Sequence, residues 1–283
     1  MSINGIIRKI VPNSLRSRLK KAVRKASTFN KEKISLKELK DILTHEMDIR
    51  KGDTIIVHSS FGRLNVNATP EEVVELLKNI ITSNGTIMMP YYPGKGQDWL
   101  ESDSVFNVKT TKSVMGILTN VFASSEDVLI SHHPIKAVAI WGKDKELFCS
   151  SHSDSITPYD KKSPYYLGLK HGRYIGLGLG IIKNTFVHSC QDVLESFDNN
   201  LIYNKTIYSG KLLTQDGELI NVKTLCHDIG LSSSKKYKTS ILEKTNCPTF
   251  KKSKNKNTLV FAVDNHVVYE HLDTYYKKIY SDT

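Results

Sequence analysis

The sequence predicts an α/β fold, and three observations carry that expectation. Residues 53–90 run strand, loop, helix, turn, strand, which is the unit of an α/β sheet. Short apolar or β-branched runs near 86–90, 128–131, 137–141 and 173–180 alternate with segments whose apolar residues recur at helical spacing. The chain of 283 residues, 39% hydrophobic and 24% charged, has the composition of an ordinary globular protein with room for a sizeable core.

Taken in order, the elements begin with a basic segment. Residues 1–25 hold 8 Lys/Arg and no acid. Asn13 or Ser14 can cap a helix there, with Leu15, Leu19, Ala22 and Val23 on one face and basic residues around it. Such a helix suits an anionic membrane surface; a solvated tail or a helix packed on its own domain is the plainer reading. Residues 27–34 read as a linker. Ser35 and Glu38 have the spacing of a capping box that opens a helix to about Met47. Asp53–His58 is a β-branched strand running into Ser59 and Ser60. Thr69-Pro70-Glu71-Glu72 starts the next helix, with a cap, a proline at its first position and acids in its first turn. Asn84-Gly85 turns the chain into the strand 86–90, and residues 91–109 read as a loop.

A helix is expected over 111–123, beginning near Lys112 and Ser113. Strands at 128–131 and 137–141 flank His132-His133-Pro134. Lys143–Ser150 reads as helical, 151–164 as polar loop, and Ser163-Pro164 as the start of a short helix to Leu169. Arg173–Gly180 is a strand interleaved with glycine, followed by a helix over Thr185–Glu195. Asp216-Gly217 between two alternating runs is a hairpin signal. Residues 235–256, with eight Lys and one Glu, read as an exposed loop region, and a closing helix spans Val263–Tyr280.

Charge narrows the function. The net charge is +11, yet residues 1–40 hold 12 Lys/Arg against 2 Asp/Glu, leaving 28 basic and 27 acidic residues beyond them. A nucleic-acid domain would spread its basicity over a folded face, so specific nucleic-acid binding is not expected. No run of 18 apolar residues exists, and basic residues interrupt the N-terminus too often for a secretory signal. Cys149, Cys190, Cys226 and Cys247 are widely spaced with no CxxC, which fits a reduced cytoplasm and no metal site.

Seven segments, in order, resemble the aminoglycoside 3-N-acetyltransferase family. They are Val57-His58-Ser59-Ser60, Asn84–Pro90, Lys112-Ser113-Val114-Met115-Gly116, His132-His133-Pro134 leading to Ala137–Gly142, Ser163-Pro164-Tyr165, Gly176–Gly180 and Thr185-Phe186-Val187-His188. The similarity covers roughly residues 35–280. It implies a single α/β domain over 35–283, with a central mixed sheet flanked by helices, preceded by the basic segment 1–34. It also implies acetyl-CoA as donor, an amine as acceptor and no metal.

The resemblance also assigns roles. His188 matches the histidine of the family's His-x-x-Glu motif and is the expected general base. The expected Glu is Gln191 here, which brings no charge. Asp192, four residues from His188, can reach the same helix face, and Glu195 and Asp228 are further candidates to orient the base. His133 matches a second motif histidine, while the next family histidine is Lys136 and the following serine is Ala137. His58, Ser59 and Ser60 match one CoA-binding segment; Lys112, Ser113 and Gly116 match another. Gly176, Gly178 and Gly180 do not form GxGxxG and read as positions of close backbone packing.

Aminoglycosides are polycations, and Gln191 and Lys136 both make the pocket less acidic. The expectation is therefore N-acetylation of an amino-sugar precursor of a bacterial surface polysaccharide, nucleotide- or lipid-linked, at or near the inner membrane. A true aminoglycoside acetyltransferase is the alternative, and a catalytically degenerate scaffold a further one.

Overall fold

The computed structural model describes residues 32–180, 186–228, 241–244, 247 and 250–281. The basic segment up to residue 31, including the helix expected within 1–25, lies outside the described residues.

The strands are β1 (Thr54–Ser59), β2 (Thr86–Pro90), β3 (Val105–Asn107), β4 (Leu129–Ile130), β5 (Val138–Gly142), β6 (Gly172–Leu177), β7 (Tyr208–Leu213), β8 (Leu219–Thr224), β9 (Lys251–Lys252) and β10 (Val260–Asp264). The helices are α1 (Leu36–Asp41), α2 (Phe61–Leu64), α3 (Pro70–Ile81), α4 (Gly96–Glu101), α5 (Ile117–Ala123), α6 (Lys145–Cys149), α7 (Pro164–His171), α8 (Phe186–Val193), α9 (Ile241–Lys244) and α10 (Asn265–Ser281).

Seven strands form one mixed sheet in the order β4-β5-β2-β1-β6-β10-β9. The parallel centre pairs β1 with β2 and with β6, and the flanking pairs β2–β5, β4–β5, β6–β10 and β9–β10 are antiparallel. The expected mixed sheet is therefore present. β3, β7 and β8 form a second, smaller sheet around the predicted hairpin.

Strand alternation divides the core. Ile55 and Val57 of β1 pack with α1, α3 and α5 on one face. Ile56 of β1, Met88 of β2 and Tyr174 of β6 pack with α7, α8 and α10 on the other. α3 forms as its sequence dictates: Thr69 accepts from the Glu72 amide, Glu72 reaches back to the Thr69 amide, and Pro70 sits in the first turn. Val73, Val74, Leu76, Leu77, Ile80 and Ile81 are buried along it, each worth about 1.5–3 kcal/mol on leaving water. Ser35 and Glu38 make the same reciprocal cap on α1, whose last turn loosens into a five-residue π turn at Ile42–Glu46.

Four expectations are corrected. The loop expected over 91–109 contains α4 and β3; β3 is held by pairing to β7, more than a hundred residues later. The helix expected from Lys112 begins at Ile117, because Ser113 turns its hydroxyl to the Tyr92 carbonyl (3.1 Å) and accepts from the Met115 amide. The linker expected over 27–34 ends sooner, since Ile34 is buried and bridged to Val66. In the lysine-rich stretch, Leu242 and Cys247 are buried and β9 pairs with β10, so its described part is not simply exposed loop.

Candidate active site

The parallel strands β1 and β6 finish side by side at Ser59 and Leu177, and the end of β2 at Pro90 pairs with Val138 at the start of β5. One edge of the sheet therefore collects residues 58–60, 90–92, 131–137 and 177–178. The carboxyl ends of parallel strands are where α/β sheets open a crevice. Close approach at this edge depends on Gly178, whose φ is +71° and where an added Cβ would lie 2.2 Å from the Ser60 carbonyl. Of the three glycines, Gly178 packs on backbone, Gly176 makes room for the Phe261 ring, and Gly180 has open space beside it.

α8 brings in the candidate base. Phe186, Val187, Cys190 and Val193 bury one side of this helix in the core. His188 and Gln191, one turn apart, lie together: His188 Nδ1 is 2.9 Å from Gln191 Oε1. Gln191 is fully buried and its Nε2 donates to the Tyr276 hydroxyl at 2.7 Å. Burial pushes the His188 pKa down to about 4; the Gln191 bond opposes this, and the Lys136 charge adds to it.

Asp192 does not take the orienting role its spacing allowed. Its Oδ2 accepts from the Tyr203 hydroxyl at 2.8 Å and from the Tyr159 amide at 3.1 Å. Burial raises its pKa to about 7 against the lowering effect of those bonds. The carboxyl holds the Tyr159 backbone and the Tyr203 side chain instead. The Tyr159 ring lies 6.4 Å from His188, and Tyr203 packs 4.4 Å from His227. Glu195 is exposed.

His227 was not singled out by the sequence. Its ring centre lies 4.7 Å from that of His188. Its Nε2 is buried without a hydrogen-bond partner among the described residues. Burial, followed by the charges of His188 and Lys136, holds it well below the ordinary histidine range. A buried polar atom of this kind needs a partner, and none of the described residues supplies it.

His133 is placed differently. Its Nδ1 accepts from the amides of Ile135 (3.3 Å) and Lys136 (3.1 Å), and its Nε2 lies 3.2 Å from the Thr224 hydroxyl. Its ring stacks 4.7 Å from His152, itself held by Ser131 and the Pro158 carbonyl. Both ring nitrogens are engaged in shaping the turn, which places His133 as a positioning residue. That turn presents Lys136, whose ammonium sits 4.0 Å over the Tyr92 ring. Burial lowers its pKa to about 8, against an opposing pull from Cys226. After burial, the larger cause at each, the Lys136 charge also depresses the basicity of His58, His133, His188 and His227.

The segments expected to hold CoA divide. His58 is buried and its Nδ1 bonds the Tyr174 hydroxyl, on the sheet face that carries α8. Its pKa falls to about 3 through burial first and the Lys136 charge second. Ser59 and Ser60 are half-buried at the strand end. Lys112 is exposed; Ser113 is spent on its own turn, and Gly116 caps α5 with φ +115° and open space beside it. Among the described residues no group of His, Cys, Asp or Glu has the arrangement of a metal site. None of their helices is long and apolar enough to cross a membrane.

The sequence model of the family described as aminoglycoside 3-N-acetyltransferase matches residues 56–271. A relative from Bacillus subtilis (strain 168), the SPbeta prophage-derived aminoglycoside N(3')-acetyltransferase-like protein YokD, is 28% identical over 151 residues. That match spans 47% of this chain and 54% of the relative, about half its length. Two solved structures share the fold. The apoenzyme of aminoglycoside acetyltransferase AAC(3)-IVa gives a TM-score of 0.68 at 21% identity, over 88% of this chain and 90% of the other. AAC-IIIb, solved as a binary complex with CoASH, gives 0.70 at 16% identity, over 86% and 96%.

Proposed function

The chain belongs to the aminoglycoside 3-N-acetyltransferase family, and on that premise we propose that it transfers acetyl from acetyl-CoA to a primary amine of an aminoglycoside-type amino sugar. The observation that carries the reading is the 2.9 Å contact between His188 Nδ1 and Gln191 Oε1. A carbonyl oxygen only accepts, so Nδ1 carries the proton and Nε2 is left with a lone pair. A pKa near 4 keeps that lone pair free throughout the neutral range.

Chemically, an amine must be neutral to attack a thioester. In this reading the amine nitrogen adds to the acetyl carbonyl carbon, His188 Nε2 takes one N–H proton, the C–S bond breaks, and the thiolate recovers that proton as CoASH. The strand end at Ser59 and Ser60 and the turn at Gly116 are the segments assigned to CoA. Asp98 and Glu101 of α4 are exposed, and their charges reach Cys226, which also feels Lys136. This acidic rim suits a cationic acceptor.

Lys136 favours a second reading. An ammonium over the Tyr92 ring whose charge acts on four histidines suits a neutral or anionic acceptor such as an amino sugar on a nucleotide or polyprenyl diphosphate. In that reading the basic residues 1–25 would meet an anionic membrane surface, which co-sedimentation with anionic vesicles, with and without residues 1–31, tests. One assay separates the acceptor readings: CoA release from acetyl-CoA with gentamicin, kanamycin and amino-sugar nucleotides. Turnover of the antibiotics alone supports the first reading, and turnover of the nucleotides alone the second. A background rate with every acceptor, unchanged in His188→Ala, would leave only a binding role.

A further inference from the structure

Tyr276 lies in the last helix, 85 residues from Gln191, and the buried contact between them has no place in the sequence motifs. We infer that Tyr276 is a positioning residue for His188, acting through the side-chain amide of Gln191. The inference rests on the transfer reading above, because it concerns which nitrogen of His188 is the base.

An amide differs from a carboxylate in having two unlike ends. A glutamate at 191 would accept from His188 Nδ1 with either oxygen. Gln191 accepts only if Oε1 faces the ring, and Nε2 must then find an acceptor on its other side. That acceptor is the Tyr276 hydroxyl at 2.7 Å. Turned over, the amide would aim its N–H at Nδ1. His188 would then carry its proton on Nε2, where it can no longer take one from an amine, and an imidazolium would face an N–H donor. The Tyr276 hydroxyl can serve either orientation, as acceptor or as donor. Gln191 is fully buried, so without the phenol the observed orientation strands an N–H and the reversed one only a carbonyl, the lesser loss, and removing the phenol favours the reversal. Tyr276 is itself fully buried, packed on Phe197 at 4.6 Å, and burial pushes its pKa up, so it stays a neutral phenol.

The dependence on Tyr276 therefore exists because residue 191 is an amide, and a double-mutant cycle reads it directly. Tyr276→Phe in the natural background is expected to lower kcat about tenfold or more, as a mis-set histidine tautomer does elsewhere, with KM for acetyl-CoA within about twofold. In a Gln191→Glu background the same change is expected to cost about twofold or less. Equal losses in both backgrounds would mean that Tyr276 only supports the fold, and would overturn the inference. Nitrogen-15 NMR of His188 gives a readout independent of turnover. The Nδ1–H form should dominate in the natural protein and give way in Tyr276→Phe. An unchanged tautomer in the variant would overturn the inference whatever the kinetics. Absence of acetyl transfer by the natural protein with an unaltered tautomer result would fail the functional reading alone. Circular dichroism confirms that each variant is folded.

Discussion

His133 and His188 are the same side chain, the first fully buried and the second half-buried, and they sit in opposite kinds of surroundings. The turn 131–137 and the end of β8 engage both nitrogens of His133, two backbone amides on one and Thr224 on the other. α8 fixes only one nitrogen of His188, through Gln191. The difference teaches that motif membership does not assign chemistry; hydrogen-bond accounting does. A histidine whose capacity is spent holds a loop, and one with a nitrogen that no described residue engages, beside a His227 Nε2 in the same state, can act on a ligand.

The largest test of this contrast is His188→Ala. Acetyl transfer should fall roughly a hundred- to ten-thousand-fold, while the thermal midpoint stays close to that of the natural protein. A melting curve and a CoA-release assay on one sample check both. His133→Ala should do the reverse. It strips two amides of their acceptor, and its melting midpoint should drop by an amount equivalent to at least about 2 kcal/mol. A His133 variant as stable as the natural protein but inactive would erase the distinction.

Acid sharpens the comparison next. His58, His152 and His188 have pKa values near 3, 3 and 4 in the fold, below the ordinary 6.5. Their contribution to stability is fully present above pH 6.5 and is lost as pH falls toward 3. Asp192 works oppositely. Its pKa rises from 3.8 to about 7, so its contribution is greatest below pH 4 and declines as pH climbs to 7. Asp192→Asn should therefore melt higher than the natural protein at pH 8, and the advantage should be clearly smaller at pH 5 and vanish below pH 4. Differential scanning calorimetry at both values decides it. The smallest effect is expected from Lys136→Met. Removing that charge should move the acid limb of kcat/KM upward, because His188 becomes more basic, and a pH–rate profile reads the shift.

Local signals were legible in the chain, and distant ones were not. The caps of α1 and α3 involve residues three apart, so Ser35 with Glu38 and Thr69 with Glu72 announce themselves. Gln191 lies within one helical turn of His188, and its contact followed from spacing. The same spacing argument misled at Asp192, because tertiary partners Tyr159 and Tyr203 claim its carboxylate. The sequence places a helix start near Lys112 and Ser113, yet the Ser113 hydroxyl turns to Tyr92, 21 residues earlier. β3 has no periodic signal of its own and exists through β7. Tyr276 and His227 reach the site only through the folding of α10 and of the chain beyond β8, which no local pattern encodes.

The central claim is that His188 Nε2, oriented through Gln191, faces the reacting thioester. A crystal structure of the protein with CoA bound tests it most directly. The account predicts the CoA sulfur beside α8, with His188 Nε2 in a direct line or one water, about 2.6–3.2 Å per step, from the position of the attacking amine. A sulfur seated against the 131–137 turn, with His188 Nε2 turned away from it, would contradict the account.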